Sequence, residues 1–256
     1  MTGQGRSADF VRSLERGLSV IRAFDAEHPE LTLSEVARRT GLTRAAARRF
    51  LRTLVELEYV STDGRLFALR PKVLELGYAY LSGLGLPEIA LPHLENLVAT
   101  VHESSSVSIL DGADVVYVAR VPTKRIMTVS ISVGTRFPAY ATAMGRVLLA
   151  SRPGEWLESY LASVRLRPLT RNTIVDPVVL REELGLVREQ GWSLVDEELE
   201  EGLRSIAVPI RRADGLVVAA VNVSAHVGRG DAVTIREDLL PHLTSTAEAI
   251  QEDLRR

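Results

Sequence analysis

Apolar positions in the first seventy residues recur at the spacing of short amphipathic helices. From Ser13 onward, Leu14, Leu18 and Ile21, with neighbouring Phe24, share one face. The period stops at "DAEHPE", where Pro29 and the polar residues break it. In "TLSEVARRTGL", Thr32 or Ser34 is placed to cap a second helix, and Glu35, three residues after Thr32, completes a capping box. Val36 and Ala37 face inward, and Gly41 supplies a turn at positive φ. Thr43 caps a third helix that directs Ala47, Phe50, Leu51, Leu54 and Leu57 to the core. Two apolar segments then flank Asp63-Gly64 in "YVSTDGRLFALRP", a hairpin signal. Small Ala37, Gly41 four positions later and apolar Leu42 let two helices meet closely around a bend. Three helices and a hairpin over residues 1–70 therefore read as a winged helix-turn-helix.

Residues 71–86, in "RPKVLELGYAYLSGLGL", predict a linking helix that opens at Pro71 and is ended by Gly83 and Gly85. Its Val73, Leu74, Leu76, Tyr80 and Leu81 are more apolar than a solvated linker needs. It packs either on its own domain or against a second copy of the chain. From residue 87 to 256 the pattern changes. A helix over 88–102 precedes two strands in "SVSILDGADVVYVARV", joined at Asp111-Gly112, and "IMTVSISV" alternates as a third strand. A break over 134–138 leads into a helix in "AYATAMGRVLLAS". Helices over 155–162 and 177–190 follow. Strands in "WSLVDEE", "RSIAVPIRR" and "LVVAAVNVSA" come next, the last two joined at Asp214-Gly215, and a helix over 234–255 closes the chain. Strands joined by short turns and flanked by helices predict an α+β domain with a mainly antiparallel sheet.

Charge divides the chain in the same place. The net charge of −2 conceals 13 Lys and Arg against 9 Asp and Glu in residues 1–72, and 18 against 24 in the remainder. A basic segment on an acidic one points to an anionic partner for the first alone. In the third helix Arg44, Arg48 and Arg52 are four apart, opposite Phe50 and Leu54, with Ala45 and Arg49 beside them. Long basic side chains separated by small ones suit a major groove, where arginine bonds guanine edges or phosphates. A merely solvated face is the plainer reading of such a helix. The glycine turn before it and the hairpin after it favour double-stranded DNA. Thr43, Arg44, Ala45, Arg48 and Arg49 lie early in the helix, where base edges are met. Arg65 in the wing is placed for a minor groove or phosphate. Ser13 and Arg16, at the first helix N-terminus, are phosphate candidates, and Ser34, opening the second helix, joins the DNA-facing set. Arg52 is equally well explained by solvent.

Catalytic chemistry is hard to find. With no cysteine and five scattered histidines, disulfides, thiolate sites and a structural zinc are not expected. No apolar run approaches the roughly 18 residues of a membrane span, and the N-terminus lacks a signal-peptide core, so a cytoplasmic location is expected. His102-Glu103 lacks the second histidine of a zinc helix, and no nucleophile elbow, Walker loop or dinucleotide fingerprint occurs. "DEELEE" at 196–201 reads as a solvated loop rather than a cation site. His226 follows Ser224 closely, but no ordered acid completes a triad. No catalytic residue, metal or cofactor is expected. What the domain offers is a helix start in "GTRFPAYATAMGR", where free N–H groups attract anions, with Arg136 just before it. Ser205 and the alternating pair Asn222 and Ser224 lie on strands, the last two facing one side. Together these sketch a pocket for a small carboxylate. A surface salt bridge is the plainer role for Arg136, and edge-strand polarity for the pair.

The segments "SLERGLSVIRAF", "LTLSEVARRTGLTRAAARRFLRTLVELEYV", "LGYAYL", "GTRFPAYATAMGRVLLA" and "DEELEEGLRSIAVPI" closely resemble, in order, the IclR-type transcriptional regulators over nearly the whole chain. Within that family "VGTRFPAYATAMGRVLLA" is most similar to the branch governing the β-ketoadipate pathway. The resemblance implies a GAF-like effector domain after the linker. It also implies protocatechuate, 4-hydroxybenzoate or β-ketoadipate as effector class, and dimers or dimers of dimers on a palindromic operator. It further implies effector contact at Tyr140, Ala143 and Met144 through main-chain groups, at Asp196, and at Ser205, Asn222 and Ser224. Ala143 stands where glycine or serine is common, Ser205 where some relatives have cysteine, and Asn222 where some have serine. These departures make a two- or three-carbon acid a poor ligand. The rival readings are a regulator of another carboxylate pathway, an enzyme fused to a DNA-binding module, and an architectural DNA-binder without ligand.

Overall fold

Helix α1 (Arg12–Ile21), strand β1 (Glu30–Thr32), helix α2 (Leu33–Thr40) and helix α3 (Arg44–Glu56) open the chain in the computed structural model, which describes residues 9–25, 27–123 and 131–255. Thr32, not Ser34, caps α2. Its N–H donates to Glu35 Oε2 at 2.8 Å while Glu35 N–H donates to Thr32 Oγ1 at 3.4 Å, closing both halves of the box. Gly41 ends α2 at φ +66°, and the N–H groups of Gly41 and Leu42 donate to the carbonyls of Arg38 and Ala37. That paired return is the Schellman turn, and it needs a residue tolerant of positive φ. Thr43 then caps α3 by accepting from Ala46 N–H.

Strands β2 (Val60–Thr62) and β3 (Leu66–Leu69) form the expected hairpin wing. Strand β1 joins the other edge of β3, giving the order β1-β3-β2, a third strand that its three-residue length kept out of the hydrophobic pattern. The core of this unit comprises Val20, Ala23, Phe24, Leu31, Val36, Ala37, Ala47, Leu51, Leu54 and Val60. Leu14, Leu18 and Leu57, expected inside, are exposed. α1 stops at Ile21, and its buried face is the row that continues through Val20 into Ala23 and Phe24. Leu14, Leu18 and Leu57 instead line an open apolar groove between α1 and α3.

A 3₁₀ turn at Pro71–Val73 leads into α4 (Leu74–Leu84), and Gly85, at φ +61°, separates it from α5 (Leu86–Val101). The chain divides into its two units between Gly83 and Leu84, within the 71–86 segment. Leu74, Leu76, Tyr78 and Tyr80 on α4 are exposed.

The second unit is a six-stranded antiparallel sheet. Its strands are β4 (Ser104–Asp111), β5 (Asp114–Val121), β6 (Arg136–Pro138), β7 (Ser193–Asp196), β8 (Leu203–Arg211) and β9 (Val217–His226), in the order β6-β5-β4-β9-β8-β7. Helices α6 (Ala143–Ala150), α7 (Gly154–Ser163) and α8 (Pro177–Gln190) build the core on one face with Tyr117, Val195, Ala207 and Ala220. α5 and α9 (Ala232–Asp253) pack together and cover the other face. The α+β class and antiparallel sheet are as the pattern predicts.

Three details differ. Asp111 pairs with Asp114, so the β4–β5 loop is Gly112-Ala113, one residue beyond the expected Asp111-Gly112. Residues 136–138, expected as a break, form β6 against β5. The helix expected from Ala139 starts at Ala143, because Thr142 is its cap and residues 139–141 make a 3₁₀ turn. The strand expected in "IMTVSISV" lies mostly outside the described residues, and 131–133 are not strand.

Candidate functional site

The basic face of α3 forms because Ala47, Leu51 and Leu54 bury the opposite side. Thr43, Arg44, Ala45, Arg48, Arg49 and Arg52 are all exposed. Among the described residues none of these four arginines forms an ion pair, whereas Arg39 is held by Asp25, and Arg70 and Lys72 by Glu58. Two of the unit's acids are engaged elsewhere: Glu35 in the capping box, and Asp63 in the wing turn. There Asp63 Oδ1 accepts from Leu66 N–H at 2.7 Å and Arg65 N–H at 2.8 Å, which hold its carboxyl below the usual range. α3 is left as an uncompensated cationic surface.

Arg65 is exposed at the wing tip, and Ser34 at the start of α2. Arg16 is exposed on α1, but Ser13 lines the apolar groove beside Leu14 and Phe50 rather than standing on the arginine face.

In the second unit the register brings polar residues together. Asn222 on β9 lies opposite Ser106 on β4 and Ala207 on β8, and Ser224 lies opposite Ser104 and Ser205. Directly opposed residues face the same side, so Ser205, Asn222 and Ser224 form one cluster. Asn222 Nδ2 donates to Ser205 Oγ at 2.8 Å and to Ser224 Oγ at 2.9 Å, while Asn222 Oδ1 accepts from Ser106 N–H at 3.1 Å. Over this cluster sits the start of α6. Thr142 accepts from the N–H groups of Gly145, through Oγ1, and of Arg146, through its carbonyl. The N–H groups of Ala143 and Met144, which no helix carbonyl can reach, are left at the cavity wall. Gly145 permits the close approach, since a Cβ there would sit 2.1 Å from Ala139 O.

Ala143, Met144, Ser205, Asn222 and Ser224 therefore line one cavity. Its other walls include Tyr117, Ile131, Thr142, Val195, Leu199 and Leu203. Burial pushes the Tyr117 hydroxyl up to about 12, so it stays a neutral donor. At about 20 Å³ the cavity holds one water and no aromatic ring.

Three expected residues are elsewhere. Arg136 lies opposite Val116 on β5, and the period of two turns it to the face opposite Phe137 and Tyr117. It bonds Asp111 at 2.7 Å and Asp114 at 3.3 Å, a surface ion pair. Asp196 is one residue from the lining Val195 and is taken by Arg204 at 2.8 and 2.9 Å. Tyr140 braces the chain from below: its hydroxyl donates to Arg167 O and accepts from Arg167 N–H, and its carbonyl accepts from Arg146 Nε.

The acidic run at 196–201 is not a solvated loop. Glu198 is buried and accepts from fully buried Arg146 at 2.5 Å and from Ile174 N–H at 2.9 Å. Period-two counting from Ser205 across the β7 register would have found Val195, and the cap pattern Thr142. Tyr117 carried no local signal, because its face depends on a bulge in β5.

Comparison with known proteins agrees with both units. Residues 13–64 match the IclR helix-turn-helix domain, and residues 78–252 match the bacterial transcriptional regulator IclR C-terminal domain. The Pca regulon regulatory protein of Pseudomonas putida is 45% identical over 96% of this chain and 85% of its own length. The p-hydroxybenzoate hydroxylase transcriptional activator of Acinetobacter baylyi is 37% identical over 96% of this chain and 93% of its own. Among solved structures, an IclR homolog from Microbacterium hydrocarbonoxydans, complexed with 4-hydroxybenzoate, superposes with a TM-score of 0.84 at 26% identity, covering 94% of this chain and 98% of that one. With a basic helix-turn-helix, an antiparallel effector-type sheet and these matches along its length, the chain belongs to the IclR family of bacterial transcriptional regulators, DNA-binding regulators rather than enzymes.

Proposed function

We propose that this chain is an effector-responsive regulator of aromatic-acid catabolism, of the β-ketoadipate type. In this reading α3 enters the major groove of an operator with Arg44, Arg48 and Arg49, supported by Thr43 and Ala45. Arg65 contacts the backbone or minor groove from the wing, and Ser13, Arg16 and Ser34 approach phosphates. A small aromatic or dicarboxylic acid binds at the cavity of Ala143, Met144, Ser205, Asn222 and Ser224, and shifts the population between states of different operator affinity. The observation that carries the reading is the row of exposed, unpaired α3 arginines on a chain whose second unit holds a polar cavity with two spare helix N–H groups. The 45% likeness to a Pca regulon regulator and the 4-hydroxybenzoate complex of a structural neighbour support the effector class. The exposed apolar residues of α4 support self-association as a dimer or a dimer of dimers.

The test joins footprinting with a thermal-shift panel of protocatechuate, 4-hydroxybenzoate, β-ketoadipate and glyoxylate. The expected result is a discrete protected site whose occupancy changes with one of the first three acids. A shift with glyoxylate alone would move the protein to another carboxylate pathway. A featureless, salt-dominated footprint unaffected by every acid would defeat the reading.

A further inference from the structure

Arg120 near the end of β5 has no role in the sites described so far. Register places it opposite Ser106 on β4, and Ser106 opposite Asn222 on β9. The three form one row on one face of the sheet. Tyr117, which lines the cavity, shares that face although it is three residues from Arg120. The β4–β5 register passes from Val107–Ala119 to Ser108–Tyr117, so Val118 is an extra residue. That bulge brings Arg120 to the side of the cavity, where an unbroken strand would turn it away.

The guanidinium is poorly satisfied there. Among the described residues Arg120 has no ion pair, and its one hydrogen bond is from Nη1 to Ser106 Oγ at 3.2 Å. Its Nε is buried without a partner. Glu103, the acid just before β4, is paired with Arg229, and residues 121–135 contain no Asp or Glu. Burial also pushes the arginine down from its usual range, yet a guanidinium remains charged at neutral pH. A half-buried permanent cation lacking an anion, beside a polar cavity, is the complement of a carboxylate.

We propose that Arg120 anchors the carboxylate of the effector, while the body of the ligand reaches across the sheet to Asn222, Ser205 and Ser224; this rests on the effector reading above. Arg120 and Asn222 are two strand spacings apart, roughly 10 Å at the backbone. An arginine side chain and one substituted ring or short diacid span the distance to the serines. The cavity does not reach Arg120, so ligand entry must part the Arg120–Ser106 contact and free a fork of N–H groups for two carboxylate oxygens. Ser106 N–H also holds Asn222 Oδ1. Displacing Ser106 would therefore be felt at the amide that organises both serines.

Calorimetry on the full chain tests this with protocatechuate, 4-hydroxybenzoate and β-ketoadipate, and with the neutral amide of whichever acid binds. Wild type should prefer the acid to its amide. Arg120→Gln should lose roughly 10- to 100-fold for the acid and little for the amide, the scale of a charge-assisted bond. Arg120→Lys should fall between, keeping the charge without the fork. Circular dichroism and operator binding report whether each variant is folded. If wild type binds none of the acids, the cavity and its anchor fall together. If wild type binds one and Arg120→Gln binds it as tightly, the anchor alone is wrong. Equal losses for acid and amide in both variants would assign Arg120 to packing and also overturn the proposal.

Discussion

Arg48 stands at the middle of the exposed α3 row, with no acid paired to it among the described residues. Arg48→Ala should weaken operator binding by about 1–3 kcal/mol if it meets a base, with loss of discrimination at one position, measured by gel shift on operator variants. Arg52→Ala should change affinity far less. Arg146 presents the opposite case, a fully buried cation whose charge is answered by Glu198 and whose Nε holds the Tyr140 carbonyl. Glu198→Ala leaves that buried charge only the longer contact to part-exposed Glu183 at 3.6 Å, and should cost about 3 kcal/mol in denaturant unfolding, well beyond a surface-pair effect. Both residues are arginines on helices, and nothing local in "RRFLR" or "MGRVL" says which is solvated. Burial made the distinction.

At the scale of elements, side-chain carboxylates hold several ends in place. Glu35 in the α2 capping box, Asp63 in the wing turn and Asp231 at the cap of α9 all accept backbone N–H bonds that lower their carboxyls below the usual range. A lowered folded value contributes stability above the ordinary value, and that stability is lost as pH falls through the folded one. Melting temperature should therefore begin to drop below the ordinary carboxyl values of 4.5 for Glu and 3.8 for Asp. Glu35→Gln with Asp231→Asn, which keep the caps but cannot ionise, should flatten that slope. An unchanged slope would place the acid sensitivity elsewhere. The Glu35 box and the Asp63 turn were legible in sequence because they depend on residues at most three positions apart, whereas the Asp231 cap was not placed. Strand β1 and strand β6, each three residues long, were not legible, since their existence rests on pairing with β3 and β5.

For the whole molecule, regulation is a coupling between operator and effector affinities. The factor by which a saturating acid changes operator affinity must equal the factor by which saturating operator changes acid affinity. Fluorescence anisotropy for DNA and calorimetry for the acid, run on one preparation, should return the same ratio. Unequal ratios would mean that the two ligands do not act through one shared equilibrium. Operator affinity should also fall steeply with salt, with a slope near 0.9 per phosphate contact, while acid affinity changes little.

The sequence by itself determined the helix-turn-helix, its basic face and the order of nearly all strands and helices. Those follow from spacings of two, three and four residues and from glycine at Gly41 and Gly64, both at positive φ. It also marked Asn222 and Ser224 by alternation along β9, and Ser205 as a strand polar, while Ala143 and Met144 came from the resemblance of their segment to a known family. Only tertiary structure decided which neighbours share their side of the sheet. Asp196 and Arg136 were lost to ion pairs with Arg204, Asp111 and Asp114, while Tyr117 and Arg120 came to the cavity side through one extra residue in β5. A face is set by register with a distant strand, and a single inserted residue reverses it.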